Sequence, residues 1–305
     1  MTVDEIRKCA EDMLAFFMET MPDVPFTGDD IIIEFAKKKD MARRARQLCK
    51  KYFPDKTINE SQARLLNRTI AAKALVGREK SAVLVCEEFM ATIKEWRMLF
   101  FHELMHIYCG KTEVDGKHFM DIYGNVYTPN LNPENKIYDG CINSGYIVWS
   151  EFIAQYYALI KASGDNHDYI DVRDYVNRLL CDVNIATNEL SNASFAMACA
   201  YILTCSDFDD ILNPLNEPDG SPDAAMPYEN ENKAALLDCL RYLFGQLQRE
   251  KPWKINEEFI EMFGLKYLTF KTINSLYLAR IKAMEKKMKN VLAGKITTND
   301  RRESQ

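Results

Sequence analysis

From Ala91 to Cys109 the chain runs without glycine or proline, and Ile93, Trp96, Leu99, Phe100, Met105 and Ile107 make the run strongly apolar. Such a stretch predicts a largely buried helix, with Gly110 as its stop, because glycine readily takes the left-handed conformation that ends a helix. Into its last turns fall two of the chain's four histidines, His102 and His106, with Glu103 directly after the first. Polar groups are costly to bury unpaired, so whatever fold forms must supply these three side chains with partners. Positions four apart share one helix face, so both imidazoles can reach one metal ion while Glu103 stands beside it without being a ligand. A single histidine on an apolar face is more often a hydrogen-bonded core residue. The pair, with its intervening acid, points to a metal.

A catalytic metal usually takes three protein ligands and keeps a fourth position open. Gly145 to Ala158 is a second strongly apolar helical stretch, and Glu151 is the only acid between Asp139 and Asp165, set among Trp149, Phe152, Ile153 and Tyr156. A lone buried carboxylate raises its own pKa or destabilises the fold, and a metal ion relieves both. A helix beginning at Ser150 offers another account, with the hydroxyl as N-cap and Glu151 in the first turn, where the helix dipole favours an acid. The residues by themselves leave both open.

The string His102-Glu103-Leu104-Met105-His106 fits the H-E-x-x-H pattern. Followed by Ser150-Glu151-Phe152-Ile153-Ala154-Gln155-Tyr156-Tyr157-Ala158, it resembles the gluzincin group of zinc metallopeptidases. The order of strand, histidine helix, irregular stretch and glutamate helix over residues 80–160 is similar to compact bacterial members such as the ImmA/IrrE-like peptidases. The resemblance implies a zincin-like core and one Zn2+ per chain held by His102, His106 and Glu151. It also implies Glu103 as general base in hydrolysis of a peptide bond, with a protein or peptide as substrate. The chain departs from the pattern at Gln155, where many relatives carry Asp or Asn; a glutamine oxygen accepts a hydrogen bond but adds no charge. The third-histidine extension of metzincins is missing after His106, where the chain reads Ile107-Tyr108-Cys109-Gly110. Such a site also needs a donor for the developing oxyanion. His118, in a predicted strand from Lys117 to Tyr123, is the first candidate, with Tyr157, Tyr201 and Tyr228 behind it; His167 sits in a polar turn and reads as solvent-exposed. Two other classes stay open: a zinc-containing binding or sensor module with little turnover, and a metal-dependent hydrolase of a non-peptide bond.

The rest of the chain bounds these readings. A net charge of −6 gives no global electrostatic case for nucleic acid, and the run of Lys and Arg from Lys37 to Lys51 reads as a solvated helix face. No apolar run approaches the roughly 18 residues of a membrane span. Nine cysteines, an odd number without a C-x-x-C pair, together with an N-terminus lacking a basic-then-apolar leader, predict reduced thiols and a cytoplasmic protein. Helical patterns are predicted over 3–20, then about 168–182, 186–205, 231–248 and 267–292, with 206–230 irregular and acidic. Ile31 to Phe35 starts a strand or the charge-rich helix that runs on to Tyr52, and Thr69–Val76 with Ser81–Cys86 predicts a hairpin around Gly77. Short strands are expected at 119–122 and 126–128. The expected class is therefore α+β, predominantly α: a helical segment over 1–57, a zincin-like core over 58–165, a helical bundle over 166–293 and a polar tail over 294–305.

Overall fold

A computed structural model of the chain describes residues 2–89, 91–111, 136–163, 179–180, 189–205 and 227–300, and the backbone of 113–114 and 117–118. Helix α1 (Val3–Thr20) begins at a reciprocal cap: the Glu5 N–H donates to Thr2 Oγ1 at 3.2 Å and the Thr2 N–H to Glu5 Oε2 at 2.7 Å. The stretch from Ile31 to Tyr52 is not one element but two. Three successive β-branched isoleucines form strand β1 (Ile31–Ala36), and helix α2 (Met41–Tyr52) follows after a single 3-10 turn. A further short helix, α3 (Glu60–Arg68), capped by Asn59 and Gln62 in the same reciprocal way as α1, was not anticipated from the sequence.

The expected hairpin is present as β2 (Ala72–Leu75) antiparallel to β3 (Ser81–Cys86). β1 joins it from the far side, parallel to β3 with Ile31 opposite Ser81, so the sheet order is β1-β3-β2 and β2 is an edge. Every residue of β3 is buried, as a central strand covered on both faces requires. Val83 and Val85 face the large core shared with α1 and with helix α4 (Ile93–Lys111), while Ala82, Leu84 and Cys86 face a smaller core under α2 and α3. The sheet thus draws on the first predicted segment as well as on the second.

α4 is the helix that carries the histidine pair, but it does not stop at Gly110. It continues to Lys111, and Gly110 lies where a Cβ would sit only 3.0 Å from Val76 Cγ1. The glycine permits close approach between α4 and the end of β2; it does not end the helix. Two short strands follow, β4 (Glu113–Val114) and β5 (Lys117–His118), paired with Glu113 opposite His118. The strands expected at 119–122 and 126–128 lie outside the described residues.

The remaining elements are helices: α5 (Lys136–Ala162), α6 (Glu189–Cys205), α7 (Pro227–Leu247) and α8 (Glu257–Asp300). α5 lies between α4 on one side and α6 and α8 on the other, and α7 packs on α8. At its crossing with α8, Gly145 meets Gly264, whose Cα would be 3.0 Å from an added Cβ, so the two backbones touch with no room for a side chain. α8 extends past the end expected near residue 292, into the stretch expected to be a polar tail. Of the helix expected over 168–182 only Leu179 and Leu180 are described, both helical, and 206–226 of the expected irregular stretch lies outside the described residues, while 227–230 opens α7. The architecture is predominantly helical with one small mixed sheet, and no described helix is long and apolar enough to cross a membrane.

Candidate metal centre

Two helices make the site. α4 presents His102, Glu103 and His106; α5 packs across it and presents Ser150, Glu151 and Gln155. Apolar neighbours hold each helix in place: Phe101 packs at a tilt against Phe17 of α1 at 4.9 Å between ring centres, and Trp149 meets Phe259 of α8 edge-on at 5.1 Å. Ser150 and Glu151 do not begin a helix, because α5 starts at Lys136; the N-cap account of Glu151 is therefore replaced by a mid-helix position facing the histidines.

The ligating atoms converge. His102 Nε2 and His106 Nε2 are 3.0 Å apart, His102 Nε2 lies 3.4 Å from Glu151 Oε2, and His106 Nε2 lies 3.7 Å from Glu151 Oε1. Ligands about 2.05 Å from a tetrahedral ion stand roughly 3.3 Å from one another, so the three observed separations bracket the spacing that a zinc-sized ion needs. His102, His106 and Glu151 are the group among the described residues that could hold a metal ion. Two imidazoles and one carboxylate are a donor set for a divalent transition ion such as zinc rather than for calcium or magnesium, which prefer oxygen alone.

Coordination through Nε2 requires the hydrogen of each ring to be on Nδ1, and each Nδ1 has an acceptor. His102 Nδ1 donates to Gln155 Oε1 at 3.1 Å, and His106 Nδ1 donates to Ser150 Oγ at 3.0 Å. Such contacts fix ring orientation and tautomer before an ion arrives. Gln155 thus serves as a neutral acceptor. Ser150 was not singled out as a partner of His106 by the sequence; its signal was a hydroxyl beside Glu151 on an otherwise apolar face.

Without an ion, the charges lean on one another. Burial works against a proton on His102, but the Glu151 carboxylate, with Glu103 and Gln155 behind it, outweighs burial and raises its pKa above the ordinary 6.5. Burial likewise works against the Glu151 carboxylate, yet His106 and His102 hold its pKa well below 4.5. Removing either side leaves the other uncompensated.

Glu103, next to His102 on α4, is held by the sheet. Its Oε2 accepts the Ala74 N–H of edge strand β2 at 2.6 Å, and the residue is only 6% exposed. Nothing in the side chain of Ala74 announces this; it follows from the hairpin register. Ala74 pairs with Val83 and Ala72 with Val85, while Ala71 bonds the Cys86 N–H, so Ala72 and Ala74 turn their backbone groups outward along the sheet edge.

Among the candidates for an oxyanion donor, Tyr157 is buried, packs against Tyr156 and Trp253, and is pushed by burial to a pKa of about 12. Its position six residues on from Glu151, about one and two-thirds turns, places it on another face of α5. Tyr201 lies on α6, and the side chains of His118 and Tyr228 lie outside the described residues, as does His167. Of the five site residues singled out by the sequence, the structure brings His102, His106 and Glu151 together, bonds Glu103 to the edge of the sheet and places only the backbone of His118.

No protein-family model matches the chain, and comparisons with curated proteins and with solved structures find no match.

Proposed function

We propose that this chain is a zinc-dependent peptidase in which His102, His106 and Glu151 hold the ion and Glu103 is the general base. The observation that carries this reading is the convergence of the three ligand atoms within 4.8 Å of one another, beside a glutamate anchored on the open edge of the sheet. The ion supplies Lewis acidity, lowering the pKa of water towards about 7 and polarising a carbonyl. The chain's own residues do the rest. With Oε2 occupied by the Ala74 N–H, Glu103 has Oε1 to accept the proton of an attacking water and pass it to the leaving amine as the C–N bond breaks. Gln155 and Ser150 hold the imidazoles in the ligating tautomer, and the outward backbone groups of Ala72 offer an extended peptide a strand to pair with. That last feature favours a peptide over other carbonyl substrates.

The test is metal content by plasma mass spectrometry joined to turnover of a quenched peptide library. Wild type should retain about one zinc per chain, and Glu151→Ala should lose it. Glu103→Gln should keep zinc and fold but lose turnover by about 10²–10⁴-fold. Zinc retained with no turnover by wild type would leave a metal-holding binding module. No metal retained by wild type after zinc is supplied would remove the reading altogether.

A further inference from the structure

Charge is distributed very unevenly along this acidic chain. Residues 37–73 hold twelve Lys and Arg against three Asp and Glu, although the whole chain carries a net −6. The stretch spans α2, α3 and the start of β2, which cover one face of the sheet over the smaller core. Three of its arginines are neutralised locally, Arg43 by Asp40, Arg44 by Glu34 and Arg46 by Glu60. Lys56, Arg64, Arg68 and Lys73 have no carboxylate partner among the described residues; Arg64, Arg68 and Lys73 are exposed and Lys56 is half-buried.

The position of Lys73 links this surplus to the metal centre. It is the residue of β2 immediately before Ala74, whose N–H holds Glu103. Strand geometry turns its side chain to the α2–α3 face, while Ala72 and Ala74 pack towards α4. Burial lowers the Lys56 pKa and the neighbouring Lys73 ammonium lowers it further, against a smaller opposing influence from the Cys49 thiol, so the two cations stand close to one another. A polypeptide paired along the outer edge of β2 would point alternate side chains to this face, directly over that pair.

We propose that the Lys56–Lys73 flank is a subsite for acidic side chains of a polypeptide bound in extended form along β2. The inference rests on the peptidase reading and gives it a substrate class: chains with Glu or Asp beside the cleaved bond. A polypeptide is favoured over nucleic acid because the cations border a strand edge whose Ala72 backbone groups point outward. The patch also lacks exposed aromatic rings on which bases could stack: Phe53 is buried, and Tyr52, half-buried, lies beneath Lys51.

The experiment uses full-length, zinc-supplied Glu103→Gln protein, so that no peptide is consumed. Fluorescence anisotropy follows a labelled Glu-rich peptide, its Gln-for-Glu counterpart and a labelled single-stranded oligonucleotide. The Glu-rich peptide should bind about tenfold more tightly than its counterpart, with the difference shrinking as salt is raised. Lys73→Glu combined with Lys56→Gln should erase that preference, whereas Lys286→Glu, an exposed charge change on α8, should leave it intact. Thermal melting of each variant reports that it folds. Equal binding of both peptides overturns the proposal, as does a preference that survives the double variant. An oligonucleotide that binds more tightly and displaces the Glu-rich peptide would assign the patch to nucleic acid instead. Cleavage assays with unmutated protein separate the two levels. Equal cleavage of both peptides sinks the subsite and keeps the peptidase; a binding preference without cleavage keeps the subsite and sinks the peptidase.

Discussion

Gln155 supplies the acceptor for His102 Nδ1, at 3.1 Å, so it decides how firmly that ring is presented to an ion. Gln155→Ala removes the acceptor and should weaken zinc binding by about 10–100-fold, measured by competition with a chromophoric chelator. Gln155→Glu keeps the acceptor and adds charge, so it should bind at least as tightly as wild type. Equal affinity in Gln155→Ala and wild type would show that the ring needs no such support. The same pair of charges sets a pH dependence for the metal-free protein. His102 has a raised folded pKa, so its stabilisation is complete below the ordinary 6.5 and is lost as pH rises through the folded value. Glu151 has a depressed folded pKa, so its stabilisation is present above the ordinary 4.5 and is lost as pH falls through the folded value. Both contributions coexist between about pH 4.5 and 6.5. In a chelator, the melting temperature should peak in that window and decline towards pH 8, and Glu151→Gln should flatten the decline. A metal-free melting temperature that rises steadily to pH 8 would contradict the mutual stabilisation.

At the scale of elements, the placement of α5 decides whether Glu151 reaches the histidines, and Gly145 at its crossing with α8 sets that placement. A methyl group there would collide with the Ile260 carbonyl and the Gly264 backbone, so Gly145→Ala should cost about 1–3 kcal/mol by denaturant unfolding and loosen zinc binding as well. An unchanged midpoint would mean that α5 and α8 shift apart without penalty. What was legible in the sequence follows from the same physics. α4 could be read because nineteen helical residues carry one uninterrupted apolar pattern, and the His102–Glu103–His106 spacing has meaning only on such a helix. The length of α5 could not, because Gly145 reads as the start of the apolar stretch, whereas the helix begins at Lys136 and Gly145 lies inside it in close packing with α8. The same error made Gly110 a stop. α3 was missed because its nine residues lie in a stretch where charge masks the apolar face formed by Ala63 and Leu66. The Ala74 anchor of Glu103 belongs to the backbone, and no side-chain pattern encodes it.

For the molecule as a whole, the site ties together parts of the chain that the sequence assigns to one core but the fold builds from two sides. α4 rests on the sheet and α1, while α5 rests on the helices α6 and α8. An ion held by His102 and His106 from one side and Glu151 from the other would be a cross-link between them, absent from the unfolded chain. Binding to the folded state alone stabilises it by about 4.1 kcal/mol when free metal is about 1,000 times its dissociation constant. For a chain of this size that corresponds to a rise in melting temperature of about 6 °C. Differential scanning calorimetry in chelator and in buffered zinc should show this rise in wild type and in Glu103→Gln, whose ligands are intact. It should be mostly lost in Glu151→Ala, where the cross-link has only one side. The contrast matters more than the magnitude: an equal rise in Glu151→Ala would place the ion elsewhere on the molecule, and no rise in wild type would mean that the three converging atoms are held together by their hydrogen bonds and mutual charge alone.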